Sequence, residues 1–284
     1  MYRIVTKEAL KPTVILYEIE APMVAKKAQP GQFIILRVDE NGERIPITIH
    51  DYDREKGTVT IIVQTVGATT EKLSHKQQGD YLHDFVGPLG KPTETEGKKK
   101  VCVVGGGVGC AIAYPVLKKF HDCGAEVHAV VGFKSKDVVI LEDKFKAVSS
   151  VMKVCTDDGS YGEKGFGTVK LQALLESGVK YDEVLAIGPV PMMKFVCKTT
   201  EPFGVHTMVS LNPIMVDGTG MCGGCRLTVG GETKFACVDG PEFDGHKVDY
   251  EELMSRNGTY REREAEVARD HVCRMEAMGK ALIK

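Results

Sequence analysis

The 284-residue sequence has no run of about 18 apolar residues, so no segment reads as a membrane-spanning helix. It has no excess of either charge: 37 Lys and Arg stand against 39 Asp and Glu, a formal net charge of -2. That balance excludes a strongly basic nucleic-acid binder and a highly charged disordered chain. The opening MYRIVTKEAL lacks the apolar core and small-residue cleavage site of a secretory signal, so the expected location is cytoplasmic. No disulfide framework is indicated, because the nine cysteines are an odd number in a chain without a signal, which points to a reducing compartment. No Ser-His-Asp set, paired acid or metal-hydrolase motif stands out either.

What is present is ample core material, 43% apolar against 27% charged, in a length that suits two domains and a small appendage. Short apolar runs recur at 2–5, 13–19, 32–38, 47–49, 58–65 and 81–85, separated by turn material such as Gln29-Pro30-Gly31. Six short strands at this spacing predict a small antiparallel barrel over 1–97, with no helix longer than 69–74. A polar linker, 94–100, follows. From Val101 buried-strand patterns (101–104, 127–131, 151–155, 184–187, 205–209) alternate with helical ones (111–123, 141–146, 168–177, 192–199). That alternation predicts a doubly wound parallel sheet over 98–212. Residues 213–249 are glycine-dense and hold three cysteines. Residues 250–284 read as a charged helical tail with an apolar stripe (Val267, Val272, Met275, Met278, Leu282), packed on its own chain or docked on a partner.

Three sets of residues carry chemistry. Arg44-Ile45-Pro46-Ile47-Thr48 opens a strand; there an Arg can fork onto a diphosphate, and strand amides with the Thr48 hydroxyl can face a flat ring. A turn followed by an edge strand would look the same. Gly105-Gly106-Gly107-Val108-Gly109 follows a buried strand and opens a helix, the context in which bare amides cradle a pyrophosphate, although it departs from a strict GxGxxG. Asp157-Asp158 and Gly188-Pro189 with Met192 follow later strands, at the carboxyl ends where open α/β sheets bind ligands. After the second strand, Lys134 and Lys136 either meet a 2′-phosphate or are solvated charges, leaving NAD against NADP open.

The third set is Asp217-x4-Cys222-x2-Cys225-x11-Cys237. Plant-type 2Fe–2S sites use C-x4-C-x2-C and a distant fourth Cys, and the spacing fits if Asp217 takes the first ligand position. Two other readings remain: zinc with His246 or Asp239 as fourth ligand, and Asp217 as a bystander. The other six cysteines (Cys102, Cys110, Cys123, Cys155, Cys197, Cys273) sit among apolar neighbours and are expected to be small buried hydrophobes.

The barrel with its Arg-x-Pro-x-Thr run, followed by a domain opening on the glycine loop, resembles the ferredoxin-NADP reductase superfamily. The resemblance implies that Arg44, Pro46, Ile47 and Thr48 contact FAD, and that Gly67, Thr69 and Thr70 meet its diphosphate at a helix start. It places Gly105, Gly106, Gly107, Gly109, Asp157, Asp158, Gly188, Pro189 and Met192 around NAD(H) or NADP(H). Many members carry Cys before the Gly-Pro, where this chain has Ile187. With the cysteine segment added, the order of parts resembles the electron-transfer subunits of bacterial dihydroorotate dehydrogenase. Those relatives normally have four Cys. Asp217 is more similar to the small-subunit family of electron-bifurcating NADH-dependent reduced ferredoxin:NADP oxidoreductases, over roughly residues 1–250. That resemblance implies an oxidoreductase subunit whose FAD exchanges hydride with NAD(H) and whose 2Fe–2S cluster passes single electrons to a larger flavoprotein and iron–sulfur subunit. Ferredoxin would be reached through the complex, and the tail would dock on the larger subunit. The alternatives are a dihydroorotate or sulfide dehydrogenase electron-transfer subunit, and a zinc-bearing scaffold with a degenerate flavoprotein fold.

Overall fold

A computed structural model describes residues 1–264 and 266. Its first part is built from β1 (Tyr2–Lys11), β2 (Val14–Glu20), α1 (Pro22–Lys27), β3 (Phe33–Arg37), β4 (Arg44–Thr48), β5 (Asp51–Asp53), β6 (Thr58–Gln64), α2 (Ala68–Ser74), β7 (Tyr81–Leu82) and β8 (Asp84–Leu89). The strands form two antiparallel sheets, β5-β6-β2-β1-β7 and β4-β3-β8, which close as a barrel around Ile4, Tyr17, Ile19, Ile34, Leu36, Ile61 and Phe85. The chain changes sheets at a corner after β4. Ile49 N–H donates to Gln32 O, beside β3, and His50 N–H donates to Thr60 O of β6 in the other sheet.

Strand β3 reads Phe-Ile-Ile-Leu without a polar alternation because both of its faces are covered. Ile34 and Leu36 point into the barrel, whereas Phe33 and Ile35 join a second core that includes Cys225 and Cys237.

The second part contains β9 (Lys100–Gly106), α3 (Cys110–Asp122), β10 (Glu126–Phe133), α4 (Glu142–Val148), β11 (Val151–Thr156), β12 (Glu163–Lys164), α5 (Gly167–Glu176), β13 (Glu183–Ile187), α6 (Val190–Thr200) and β14 (Thr207–Ser210). Its parallel sheet is ordered β12-β11-β10-β9-β13-β14 and extended by β17 (Glu242–Asp244), which runs antiparallel to β14. The expected β plus α/β architecture is therefore present. Helices α3 and α4 pack on one face, α5 and α6 on the other. The winding reverses between β9 and β13, and that crevice is where such sheets bind ligands.

Between β14 and β17 lie the hairpin β15 (Arg226–Val229) and β16 (Glu232–Phe235), then α7 (Ala236–Asp239); α8 (Tyr250–Asn257) follows. The sequence did not show β17, because a three-residue strand has no pattern of its own and is held by the sheet edge it meets. The front of the expected tail, α8, packs on its own chain through Tyr250 and Leu253. The apolar stripe from Val267 onward, and Cys273, lie outside the described residues. Cys102, Cys110, Cys155 and Cys197 are buried as expected; Cys123 is exposed, because it follows α3 on the solvent side.

Candidate functional site

The Arg44–Thr48 run becomes β4, paired with β3 so that Arg44 faces Arg37 and Pro46 faces Ile35. Ile45 and Ile47 pack toward the barrel core, so alternation turns Arg44, Pro46 and Thr48 to the opposite face. Arg44 Nη2 lies 3.2 Å from Asp84 Oδ2, and Arg37 Nε lies 2.8 Å from the same oxygen. His83 Nδ1 is 2.9 Å from Asp84 Oδ1. Burial pushes the Asp84 carboxyl up; the His83 and Arg37 contacts outweigh it and leave it below the usual carboxylate range. Two guanidinium groups thus share one carboxylate, a surplus of cation that suits a diphosphate. Arg37, His83 and Asp84 were not singled out in the sequence, where nothing local links Arg37 on β3 and Arg44 on β4 to the His83-Asp84 pair at the start of β8.

The second segment expected to meet flavin, residues 67–70, is brought beside the first. Thr69 Oγ1 donates to Glu43 Oε2 at 3.4 Å, next to Arg44, and Lys72 pairs with Asp39 in the β3–β4 connection. Gly67 is the N-cap of α2, whose first-turn amides have no acceptor inside the helix. The Thr70 hydroxyl is committed locally: it accepts from Val66 N and Gly67 N at 3.0 Å and donates to Gly67 O at 2.9 Å.

At the crevice, Gly105 and Gly106 end β9, and Gly107–Gly109 form a turn of 3-10 helix leading into α3. Helices α3, α5 and α6 have no acidic residue in their first turns, whereas α4 and α8 do. The positive ends of the three helices nearest the crevice are therefore not neutralised from within. Close packing explains most of the glycines. A Cβ at Gly109 would stand 2.6 Å from Ile187 O, one at Gly188 would meet Met192 Cε at 2.9 Å, and one at Gly106 would collide with the Met192 thioether. Gly107 is different: its φ is +56° and the space beyond it is open. Ile187 is buried in the α3-side core and turns its carbonyl toward Gly109. Pro189 is the N-cap of α6.

Asp157 and Asp158 follow β11, two strands from the glycine loop. Asp158 Oδ1 accepts from Ser160 N and Oγ at 2.9 and 2.6 Å, while Asp157 is exposed. Lys134 and Lys136 are exposed as well, with Lys136 Nζ 5.9 Å from the Tyr161 ring centre.

The cysteine loop packs against the barrel. A Cβ at Gly218 would meet Leu89 and Ile35 at 2.6 and 2.9 Å, so the loop after Asp217 lies directly on β8 and β3. Cys225 and Cys237 are buried with their Sγ atoms 3.2 Å apart. Burial and the neighbouring Cys225 push the Cys237 thiol up to about 12, so Cys237 stays a neutral thiol at ordinary pH unless a metal centre takes the place of its proton. Cys222 is exposed on the other side of the loop, and among the described residues no three His, Cys, Asp or Glu converge on a single point. Asp217 Oδ1 accepts from Thr219 N at 2.9 Å and Oδ2 from Cys222 N at 2.8 Å, bonds that hold its carboxyl below the usual range. Tetrahedral thiolates about 2.3 Å from a metal stand about 3.8 Å apart, so Cys225 and Cys237 need little movement to share one. Asp217 and Cys222 form the outer pair. Two pairs suit a two-iron cluster better than one zinc ion.

The family model for the iron-sulfur cluster binding domain of dihydroorotate dehydrogenase B matches residues 212–249. A dihydroorotate dehydrogenase B (NAD(+)) electron transfer subunit homolog of Thermotoga maritima is 49% identical, covering 92% of this chain and 92% of its own. The dihydroorotate dehydrogenase B (NAD(+)) electron transfer subunit of Fusobacterium nucleatum is 34% identical, covering 82% and 92%. Among solved structures, a chain from work on flavin-based electron bifurcation in the NADH-dependent reduced ferredoxin-NADP oxidoreductase is 46% identical, with a TM-score of 0.90 and coverage of 96% and 98%. A ferredoxin reductase of carbazole 1,9a-dioxygenase, at 17% identity and a TM-score of 0.59, shares the fold. The chain belongs to the family of dihydroorotate dehydrogenase B electron-transfer subunits and their homologues.

Proposed function

We propose that this chain is the flavin and 2Fe–2S electron-transfer subunit of an electron-bifurcating NADH-dependent ferredoxin:NADP oxidoreductase. It exchanges hydride with NAD(H) and single electrons with a larger flavoprotein and iron–sulfur subunit, through which ferredoxin is reached. The observation that carries this reading is the double use of β3. One of its neighbours is β4, with Arg44 and Thr48; its outer face, Ile35, lies against Gly218 beside Asp217. Adjacent strands are about 4.8 Å apart, so a ring on β4 and a cluster in the loop are separated by one layer of side chains.

In this reading residues 1–97 hold FAD, 98–212 hold NAD(H), and 213–249 hold the cluster. FAD, when bound, converts the two-electron chemistry of nicotinamide into the one-electron chemistry of iron and sulfur. The chain's own residues do the rest. Arg44 and the α2 amides hold the diphosphate, Thr48 offers a hydroxyl to the ring, and Gly107 lets the backbone approach the nucleotide. Cys225 and Cys237 hold the inner iron, Asp217 and Cys222 the outer one. The cluster face is rimmed by exposed Val216, Met221 and Val238, and there the larger subunit docks. No helix among the described residues is long and apolar enough to cross a membrane, and the free cysteines accord with a cytoplasmic setting.

The names of the 34% identical relatives favour a second reading, an electron-transfer subunit of dihydroorotate dehydrogenase. Affinity purification from the native cell separates the two. Co-purification of a subunit carrying flavin and 4Fe–4S clusters, with NADH-dependent ferredoxin:NADP transhydrogenation, supports the first. Co-purification of a flavoprotein that oxidises dihydroorotate overturns it.

A further inference from the structure

Helix α3 carries a proline in its interior, Pro115, and yet runs unbroken from Cys110 to Asp122. In an α-helix the carbonyl of residue 111 accepts the N–H of residue 115. Proline has no N–H, so Ala111 O loses its helical donor. Ala111 is 3% exposed, so bulk water does not replace the missing donor, and an unpaired buried carbonyl is costly. The replacement comes from the other domain: His50 Nδ1 lies 2.6 Å from Ala111 O. A carbonyl only accepts, so Nδ1 carries the hydrogen, and in the neutral ring Nε2 is left bare. Nε2 is fully buried and has no partner in the protein. Burial and nearby Lys144 hold His50 below the ordinary histidine value, against the opposing pull of the Ala111 bond and Asp51. The imidazole also stands 5.8 Å, centre to centre, from the Tyr114 ring of α3.

The two ends of this bond matter. His50 is the barrel corner, two residues beyond Thr48 at the end of β4. Ala111 is the second residue of the helix that the Gly105–Gly109 loop opens. One buried hydrogen bond therefore joins the end of the flavin strand to the start of the nucleotide helix. We propose that His50 is a positioning residue for hydride exchange: by occupying the carbonyl that Pro115 frees, it fixes the nucleotide loop relative to β4 and so sets the approach of nicotinamide to flavin. The inference rests on the flavin and NAD(H) reading above.

The test uses the full chain with its FAD and cluster, and compares wild type with His50→Leu, His50→Asn, Pro115→Ala and the Pro115→Ala/His50→Leu double variant. His50→Leu removes the donor at similar volume and is expected to slow flavin reduction by saturating NADH about tenfold to a hundredfold. It should keep flavin and iron content, hold the NADH Kd within about twofold, and weaken the long-wavelength charge-transfer absorbance of the flavin–nicotinamide complex. His50→Asn, which restores an N–H donor, should recover most of the rate. Pro115→Ala returns a helical donor to Ala111 O, so His50→Leu should cost less thermal stability in that background while the rate stays low. Hydrogen exchange at the amides of residues 110–114, measured without nucleotide, should rise in His50→Leu. If His50→Leu does not fold, Pro115→Ala alone decides, with an expected loss of rate and charge-transfer absorbance without loss of stability. The proposal is overturned if His50→Leu keeps the wild-type rate and charge-transfer band, or if the double variant regains rate together with stability. Wild-type protein that holds FAD but is not reduced by NADH overturns the functional reading first, which is a separate result.

Discussion

Cys225 Sγ donates to Cys237 Sγ at 3.2 Å, the two free thiols buried in one core with the outer face of β3. Eleven residues lie between them in sequence, and the β15–β16 hairpin folds the chain back so that they meet. Asp217 and Cys222 form the complementary, outward-facing half of the loop, held together by the Cys222 N–H to Asp217 carboxylate bond.

The outer half is the first test. Asp217→Cys should keep a full complement of iron while shifting the electron paramagnetic resonance signal and the reduction potential, because thiolate donates more to iron than carboxylate does. Asp217→Ala should leave three thiolates and a labile cluster, with Asp217→Asn as the control for charge at constant size. Iron content, spectrum and potential equal to wild type in both the Cys and Ala variants would make Asp217 a loop-shaping residue that only accepts from Thr219 and Cys222.

Arg44→Ala should weaken FAD binding, since a charge-assisted contact is worth roughly 1.5–3 kcal/mol, about tenfold to a hundredfold in affinity. Asp84→Ala is the informative companion. It frees both Arg37 and Arg44 from their shared carboxylate, so FAD affinity should hold or rise at some cost in stability. FAD retention on dialysis, followed by fluorescence of the released flavin, reads both. Arg44→Ala with undiminished retention would move the diphosphate elsewhere.

The crevice glycines should differ in a graded way. Gly109→Ala drives a methyl against the Ile187 carbonyl, a backbone group that cannot swing aside, and should abolish measurable NAD(H) binding. Gly106→Ala meets the flexible end of Met192 and should be milder. Titration calorimetry with NADH gives the order, while flavin and iron content show that the rest of the chain has folded. The reverse order would mean that the β9–β13 packing does not shape the nucleotide site.

Glu242 gives a pH dependence. Its carboxyl is enclosed where the barrel, the linker and β17 meet, with the Thr93 hydroxyl donating to Oε1 at 2.7 Å. Burial pushes it up to about 7, with Glu183 and Glu94 adding to the rise and Thr93 opposing it. A raised folded-state value means that the protonated form is the stabilised one. Its contribution is complete below the ordinary carboxyl value of 4.5 and is lost as pH rises through about 7. Between pH 5 and pH 8 wild type should lose on the order of 1–3 kcal/mol more than Glu242→Gln. Thermal melts of the two at both pH values check this; parallel losses would place the titrating group elsewhere.

Much of the layout was legible in sequence because it is local. The strand patterns of the parallel domain, the glycine loop and the Asp-x4-Cys-x2-Cys spacing each depend on residues a few positions apart, where period and backbone preference act directly. The same locality explains the misses. Cys123 was expected to be buried, but it stands between Asp122 and Gly124 just past the end of α3 and is exposed there. Glu242–Asp244 becomes a strand only because β14 offers an unpaired edge.

Local residue patterns are enough to specify a barrel, a doubly wound sheet and a cysteine loop in that order, and the types of group available to each. Which groups meet is set by the closed fold: Arg37 and Arg44 on one Asp84, Ile35 under Gly218, His50 on the carbonyl of Ala111. Pro115 shows the division. A proline inside a helical pattern says that one carbonyl has lost its donor, which is backbone geometry and readable from sequence. Which side chain, 61 positions away, supplies the replacement depends on how two domains close on each other, and hydrophobic periodicity reports only that a face is buried, not against what.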